Sequence, residues 1–323
     1  MPLDRPGRTL AQVSEESLLD EIFPLFTGGP SVLVGPGDDT AVVEAPDARV
    51  IATTDAMVRG RDWRDDWSSA EDVGAKVVLQ NLADVAAMGG RPTGVLVSLI
   101  ADPATSVDWV LGMARGLAHA AHAASVPVLG GDLSSAPPGL LCVSVTALGS
   151  LEGRSPVLRS GARVGDVVAV AGTLGLAAAG WRLLEQGRAD ADHDAVAVQR
   201  CPSPPLAQGP AAAGAGATAM LDVSDGLLRD AARLARASTV CLDLHESALT
   251  LDIDRLVKAL GRDEARECVL AGGEEHSLLA TFPPDRLLPP GWRAVGAVRQ
   301  GHGVTVDGAR EQARGWDHFA GGG

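Results

Sequence analysis

The chain has 323 residues, of which 46% are hydrophobic and 21% are charged, and its formal net charge is -14. This length is enough for two ordinary domains with a sizeable core, and the composition excludes a disordered chain. Nucleic-acid-binding proteins usually carry a basic face, and no Lys/Arg run occurs in this acidic sequence, so we expect no nucleic-acid partner.

The first half alternates between helical and extended patterns. Its N-terminus lacks an apolar signal region, and no apolar run approaches the length of a membrane span, so we expect a cytoplasmic protein with no membrane contact. Ser69 and Asp72 form a capping-box pattern that predicts the start of a helix. The predicted elements are helices over 14–26, 69–88 and 107–124 and strands over 41–43, 50–53, 93–100, 126–129 and 140–147.

The pattern changes near residue 150, where we place a domain boundary. The stretch 188–219 is rich in Asp, Pro and Ala and is predicted to be a mostly loop-like connection that includes a helix. The remaining predicted elements are strands over 167–170, 219–221, 239–244, 278–282 and 293–298 and helices over 176–185 and 226–237. Strands and helices alternate in both halves, which predicts an α/β or mixed α+β fold.

Short acidic clusters, each beside glycine or another small residue, are the strongest functional signal. Carboxylates are costly to gather unless a positive group lies among them, and glycine lets a backbone approach a ligand closely. The pattern indicates a site for several Mg²⁺ ions and a polyphosphate. The clusters are Gly37-Asp38-Asp39, Thr53-Thr54-Asp55, Asn81-Leu82-Ala83-Asp84, Gly130-Gly131-Asp132, Asp222-Val223-Ser224-Asp225-Gly226 and Gly272-Gly273-Glu274-Glu275.

Each cluster also has a purely structural interpretation. Asp39 can belong to a solvated turn, and Asp84, in an apolar helix, can pair with a neighbouring arginine. Asp55 and Asp132 follow predicted strands, where side chains often enter a crevice, although Gly-Gly-Asp can also be a simple turn. One aspartate of the Asp222 cluster can be a helix N-cap, but a cap does not require two.

Other nucleotide sites are not indicated. No nucleophile and base pair stands out, and the P-loop pattern is absent. The loop at Gly172-Thr173-Leu174-Gly175 lacks the full dinucleotide fingerprint.

The four cysteines are far apart and lack metal-ligand spacing, which is typical of buried thiols in a reducing compartment.

Taken in order, these motifs resemble those of the thiamine-monophosphate kinase family, in the superfamily of aminoimidazole ribonucleotide synthetase and selenophosphate synthetase. The resemblance covers nearly the whole chain and extends to Arg159-Ser160-Gly161-Ala162 and the terminal Gly315-Trp316-Asp317-His318-Phe319. It implies transfer of a phosphoryl group from ATP to thiamine monophosphate, in line and without a phospho-enzyme. It also implies a cytoplasmic homodimer.

The implied fold has two domains. Residues 1–150 would bind ATP and Mg²⁺ and pair with their twin in a β-barrel across the dimer interface. Residues 151–323 would form an α/β domain that closes over the active site.

The resemblance also implies residue roles. Asp132, Arg159 and Asp222 would be catalytic, and ATP would contact Gly131, Asp132, Arg159 and Ser224. The acceptor would contact Asp62, Glu274 and Trp316. Several Mg²⁺ ions would be bound by Asp39, Thr53, Thr54, Asp55, Asp84, Asp132, Asp222 and Asp225.

The sequence departs from the family pattern on the acceptor side. Asp62 stands where the family usually has histidine, and Glu275-His276-Ser277 replaces Asp-Tyr-Glu. Two alternatives therefore stay open: a superfamily member with another small acceptor, and a non-catalytic nucleotide-binding subunit.

Overall fold

A computed structural model of the chain describes residues 7–26, 28–36 and 40–316. The mixed α/β class predicted from the sequence is confirmed. The chain forms two compact units, the first from Met1–Leu82 with Pro92–Ser150 and the second from Ala83–Arg91 with Leu151–Gly323. Within the described ranges, every helix is too short or too polar to cross a bilayer.

The helices of the first unit begin at the predicted caps. Helix α1 (Glu15–Ile22) starts after Ser14, whose Oγ accepts a hydrogen bond from the Ser17 amide at 3.2 Å. At the start of α2 (Ala70–Ala87), the Ser69 amide donates to Asp72 and the Asp72 amide donates back to Ser69. This reciprocal pair is the predicted capping box.

Helix α3 (Val107–Ala123) packs directly on α2 because glycine removes the side chains between them. A Cβ atom on Gly74 would lie 2.0 Å from the Met113 carbonyl oxygen, and one on Gly116 would lie 2.0 Å from that of Glu71. Any larger residue at either position would force the two backbones apart.

The first unit holds two sheets. Strands β1 (Val32–Val34) and β2 (Val42–Val43) form an antiparallel pair. The larger sheet has the order β3-β6-β4-β5 and consists of β3 (Ile51–Val58), β4 (Arg91–Ala101), β5 (Val128–Ser135) and β6 (Leu141–Ser150). Buried and partly exposed residues alternate along β6, so one face of this sheet is packed and the other is more open.

The second unit is built on a seven-stranded sheet. Its order is β13-β12-β9-β11-β7-β10-β8. In the described part of this sheet, β9 and β12 pair in parallel and the other neighbouring strands pair antiparallel. Strands β7 and β10 and the edge strand β8 are buried on both faces, as expected for strands covered by helices on each side. The strands are β7 (Val167–Ala171), β8 (Ala219–Val223), β9 (Cys241–Leu244), β10 (Ser277–Phe282), β11 (Trp292–Arg299), β12 (Gly303–Val306) and β13 (Ala309–Glu311).

The stretch 188–219 is more helical than predicted. It contains both α5 (His193–Arg200) and α6 (Gln208–Ala215), and not a mostly loop-like connection. Asp192 caps α5 by accepting from the Ala195 amide, and Gly216 ends α6 with φ of 85°. The other helices of this unit are α4 (Leu176–Glu185), α7 (Leu227–Ser238), α8 (Glu246–Leu260) and α9 (Arg262–Ala271).

Candidate active site

The carboxyl end of β8 and the loop that follows it form the centre of the site in the second unit. Asp222 lies in β8 and is almost completely buried. The loop then enters α7 through Gly226, which has φ of 118°. A Cβ atom on Gly273 would lie 2.0 Å from the Ser224 carbonyl oxygen. The loop after α9 can therefore approach the loop after β8 this closely only if position 273 is glycine.

Backbone hydrogen bonds join three segments that the sequence assigned to ATP, metal and acceptor. The Glu274 amide donates to the Ser224 carbonyl at 2.8 Å. The Trp316 amide donates to the Asp225 carbonyl at 2.9 Å. Residues almost a hundred positions apart therefore meet at one end of the second unit, although their roles there stay a prediction.

His276 forms a close pair with Asp222. Its Nδ1 lies 3.0 Å from Oδ2 of Asp222, and both side chains are buried. Burial lowers the pKa of His276, but the hydrogen bond and charge of Asp222 raise it, helped by Glu274 and Asp84. The net shift is upward, which favours the imidazolium form.

A second charged network lies behind Asp225. Arg233 contacts both Asp225 and Asp230 at 2.6 Å, and the Asp225 amide donates to Asp230 at 2.9 Å. Burial raises the pKa of Asp230 to about 6, and the charges of Asp222 and Asp225 contribute while Arg233 opposes them. Sequence reasoning missed Asp230 and Arg233, although their spacing of three residues places them together on α7.

Glu275 has a structural role that was not predicted from the sequence. Its carboxylate accepts hydrogen bonds from the Gly175 amide at 2.5 Å, the Leu176 amide at 2.8 Å and the Thr173 hydroxyl at 3.2 Å. It therefore occupies the N-terminus of α4, where a negative charge is favoured. Burial nevertheless raises the pKa of Glu275 to about 7, with a contribution from Asp252.

Arg159 lies beside the start of β8. The Met220 amide donates to the Leu158 carbonyl at 3.0 Å, and the Ser238 hydroxyl donates to the Arg159 carbonyl at 2.8 Å. Asp222 lies further along the same strand, towards its other end. The predicted contact of Arg159 with ATP stays a prediction.

In the first unit, Asp55 is inside a strand and not at its end. Strand β3 continues for three residues beyond it, so the predicted strand over 50–53 was too short. The Asp55 amide donates to Oδ1 of Asn81 at 2.9 Å, which joins β3 to α2. Thr54 pairs across to Thr146 of β6, where the two hydroxyls lie 3.2 Å apart. Thr53 occupies the position before Thr54 on the same strand.

Asp132 is likewise inside a strand. The predicted strand over 126–129 was wrong at its end, because β5 includes Gly130-Gly131-Asp132 and continues to Ser135. A Cβ atom on Gly131 would lie 2.0 Å from the Val97 carbonyl oxygen, so this glycine allows close strand pairing. Ser134 donates to the Asp132 carboxylate at 2.9 Å.

The sheet does not bring Asp55 and Asp132 together. They lie on its two edge strands, β3 and β5, with two strands between them. At the usual spacing this is roughly 14 Å along the sheet. Asp55 is in register with the buried Val145, whereas Asp132 is in register with the partly exposed Ser98.

Asp39 and Asp62 were also predicted to belong to the site. Asp39 lies outside the described residues. The Asp62 carboxylate accepts a hydrogen bond from the Val58 amide at 2.7 Å and so closes the turn after β3. This gives Asp62 a structural role, and its contact with an acceptor stays a prediction.

The carboxylates fit Mg²⁺ in chemistry, though not as a complete protein cage. Mg²⁺ prefers oxygen ligands and is commonly held by one or two carboxylates, with phosphates and water completing the shell. Asp84 and Asp222, whose charges both raise the pKa of His276, are carboxylates that can supply such oxygens. Over residues 7–26, 28–36 and 40–316, no three His, Cys, Asp or Glu side chains form a ready metal site.

The chain is similar to proteins of a known family over most of its length. The model for the N-terminal domain of AIR synthase related proteins matches residues 37–151. Thiamine-monophosphate kinase of Mycobacterium tuberculosis is 42% identical over 320 residues, which cover 97% of this chain and 92% of that protein.

Solved structures agree over similar lengths. The thiamine-monophosphate kinase of Stenotrophomonas maltophilia superposes with a TM-score of 0.80 at 31% identity, covering 92% of this chain and 98% of that one. A structure described as AaThiL complexed with AMPPCP and TMP gives a TM-score of 0.77 at 32% identity, covering 87% of this chain and 91% of that one. This chain therefore belongs to the thiamine-monophosphate kinase family.

Proposed function

We propose that this chain phosphorylates thiamine monophosphate to thiamine diphosphate with ATP as co-substrate. The observation that carries the proposal is the 42% identity to the Mycobacterium tuberculosis enzyme over 97% of the chain. The complex of AaThiL with AMPPCP and TMP supports it further, because that relative binds both an ATP analogue and a TMP molecule.

The residues of the second unit suit the binding of two anions. We assign contacts with ATP to Ser224 and Arg159, and contacts with the thiamine end of the acceptor to Glu274 and Trp316. An indole ring such as that of Trp316 can stack on a cationic or aromatic ring. The backbone bonds of Glu274 and Trp316 to the loop after β8 support their common placement.

We assign Mg²⁺ binding to Asp84, Asp222 and Asp225 in the second unit and to Thr53, Thr54, Asp55 and Asp132 in the first. When bound, the ions would neutralise the charge of the phosphates. The carboxylates would hold and orient the nucleotide, and Arg159 would add positive charge where the transferred group becomes more negative. Phosphoryl transfer of this kind needs alignment more than covalent chemistry, so we expect no phospho-enzyme.

We also propose that the protein is a homodimer that works in the cytoplasm. The more open face of the β3-β6-β4-β5 sheet carries hydroxyl groups such as Thr54 and Thr146, and β4 exposes the hydrophobic Leu96. A second copy of the chain would cover this face in the barrel that the family resemblance implies. Sedimentation of the purified protein tests this, and a monomer at micromolar concentration would refute it.

An acceptor panel tests the proposed activity. ADP release is measured with Mg²⁺, ATP and, in turn, thiamine monophosphate, thiamine and several unrelated phosphorylated small molecules. We expect release only with thiamine monophosphate. Turnover with a different acceptor would establish the diverged-enzyme alternative, and ATP binding without turnover on any acceptor would establish the non-catalytic one.

A further inference from the structure

The loop between α9 and β10 holds two residues in an unusual backbone conformation. Glu274 has φ of 68° and His276 has φ of 53°. This left-handed region costs a residue other than glycine about 1 kcal/mol or more, so the surrounding structure must hold both residues in place. One residue lies between them, and it is Glu275.

The side chain of Glu275 is buried and contacts the start of α4. Its carboxylate accepts hydrogen bonds from two amides at the start of α4 and from the Thr173 hydroxyl, and the residue is only 3% exposed. A carboxylate at a helix N-terminus satisfies backbone donors that would otherwise lack a partner. Glu275 therefore fixes the middle of the strained segment to a rigid helix.

A second contact fixes the same two loops next to it. The Ser277 hydroxyl donates to the Thr173 carbonyl at 2.6 Å. A Cβ atom on Gly172 would lie 2.3 Å from Oγ of Ser277, so the loop before α4 and the start of β10 are in close contact. Glu275 and Ser277 thus secure one side of the segment, while the Glu274 amide secures the other by its bond to Ser224.

We propose that Glu275 is a positioning residue for the acceptor: by anchoring the segment 272–277 to the N-terminus of α4, it holds Glu274 in the conformation that meets the thiamine end of the substrate. The inference rests on the proposed function, because it takes Glu274 as an acceptor contact. Glu275 itself touches α4 and the loop before it. Its effect on the reaction is therefore indirect.

The test compares Glu275→Gln with Thr281→Val. The glutamine keeps the size of the side chain, but its NH₂ group cannot accept from an amide, so one of the two α4 donors loses its acceptor. Thr281 is a matched control, since it is buried in β10 and its hydroxyl lies 2.6 Å from that of Thr218, away from the segment 272–277. Both variants remove a buried hydrogen bond from the same unit.

Two measurements separate positioning from a general loss of stability. Steady-state kinetics give KM for thiamine monophosphate and for ATP, and hydrogen exchange gives the protection of the Glu274 and His276 amides. For Glu275→Gln we expect KM for thiamine monophosphate to rise about tenfold while KM for ATP changes less than about twofold, and exchange at both amides to become faster. For Thr281→Val we expect neither change, even if its melting temperature falls as much.

Each other outcome has a distinct meaning. Unchanged KM for thiamine monophosphate in Glu275→Gln overturns the inference, and so does unchanged exchange at Glu274 and His276. An equal rise in both KM values in both variants also overturns it, because that pattern indicates only a loosened unit. If the unsubstituted protein fails to use thiamine monophosphate, the proposed function fails, and the exchange data still decide whether Glu275 anchors the segment.

Discussion

Asp222 and His276 form a buried pair in which Oδ2 of the aspartate and Nδ1 of the histidine are 3.0 Å apart. The two residues lie on neighbouring chain segments, since the His276 amide also donates to the Val223 carbonyl. The pair therefore fixes the orientation of the carboxylate at the end of β8. Burial lowers the pKa of His276, but the hydrogen bond and charge of Asp222, helped by the charges of Glu274 and Asp84, raise it overall.

Substituting Asp222 tests the centre of the site. Asp222→Asn should lower kcat/KM by about 10²- to 10³-fold, which is the loss expected when one preorganised charged group is removed from a transition state. Asp166→Asn is the control, because Asp166 is equally buried and accepts from Thr218 and Arg163 outside the site. Its kcat/KM should stay within about threefold, and comparable losses in both variants would contradict a special role for Asp222.

Substituting Gly273 tests the approach of the two loops. Gly273→Ala places a methyl group 2.0 Å from the Ser224 carbonyl oxygen, so the loops must separate. Because Glu274 and Ser224 then lose their backbone bond, we expect kcat/KM to fall more than about tenfold. Gly214→Ala in α6 is the matched control, since its added Cβ meets nothing within 4 Å. Retained activity in Gly273→Ala would show that the close contact does not serve the reaction.

The Arg233 network predicts a stability effect with a partial rescue. Arg233→Met leaves the buried Asp230 and its neighbour Asp225 without their shared cation, and we expect about 2 kcal/mol less free energy of unfolding, a figure reduced for the partial exposure of Arg233. Adding Asp230→Asn should recover part of this loss, because it removes the buried charge. Urea unfolding of the single and double variants measures both effects. Strictly additive losses would contradict the coupling.

Glu275 predicts a specific pH dependence of stability. Its folded pKa of about 7 lies above the ordinary value of 4.5, so the folded state binds a proton more tightly than the unfolded state. The tighter proton binding adds about 3 kcal/mol to the free energy of unfolding. This stabilisation is fully present below pH 4.5 and is lost as the pH rises towards 7. Two other groups interact with the carboxylate. The charge of Asp252 adds to the effect of burial in raising the pKa of Glu275. Burial raises the pKa of the Cys268 thiol, and the charge of Glu275 contributes to this rise.

The measurement is the difference in unfolding free energy between the natural chain and Glu275→Gln. Taking the difference cancels the other titrating groups, including Asp230, whose raised pKa has the same sign. The natural chain should lose stability relative to the variant between pH 4.5 and 7. A difference that stays constant with pH would show that burial does not raise the pKa of Glu275.

Local signals in the sequence predicted local structure well. Ser14 and the Ser69-Asp72 pair mark helix starts because a short polar side chain can satisfy the first helical amides. The Asp222 cluster predicted a strand followed by a helix, and the structure has β8 followed by α7. The class of the fold followed from this alternation.

Features that depend on distant residues could not be predicted in the same way. The strands at Asp55 and Asp132 continue through their polar residues because pairing with β6 and with β4 supplies hydrogen bonds that no local pattern shows. The bonds of Glu275 to Gly175 and Leu176 join residues about a hundred positions apart. Nothing near Glu275 in the sequence indicates which helix it caps.

The proposed reaction is tested most directly by following the phosphorus atoms themselves. The purified protein is incubated with ATP, Mg²⁺ and thiamine monophosphate, and ³¹P NMR records the products. Direct phosphoryl transfer to thiamine monophosphate predicts that ADP and thiamine diphosphate form in equal amounts, without inorganic phosphate. ATP hydrolysis to ADP and inorganic phosphate, with thiamine monophosphate unchanged, would contradict it.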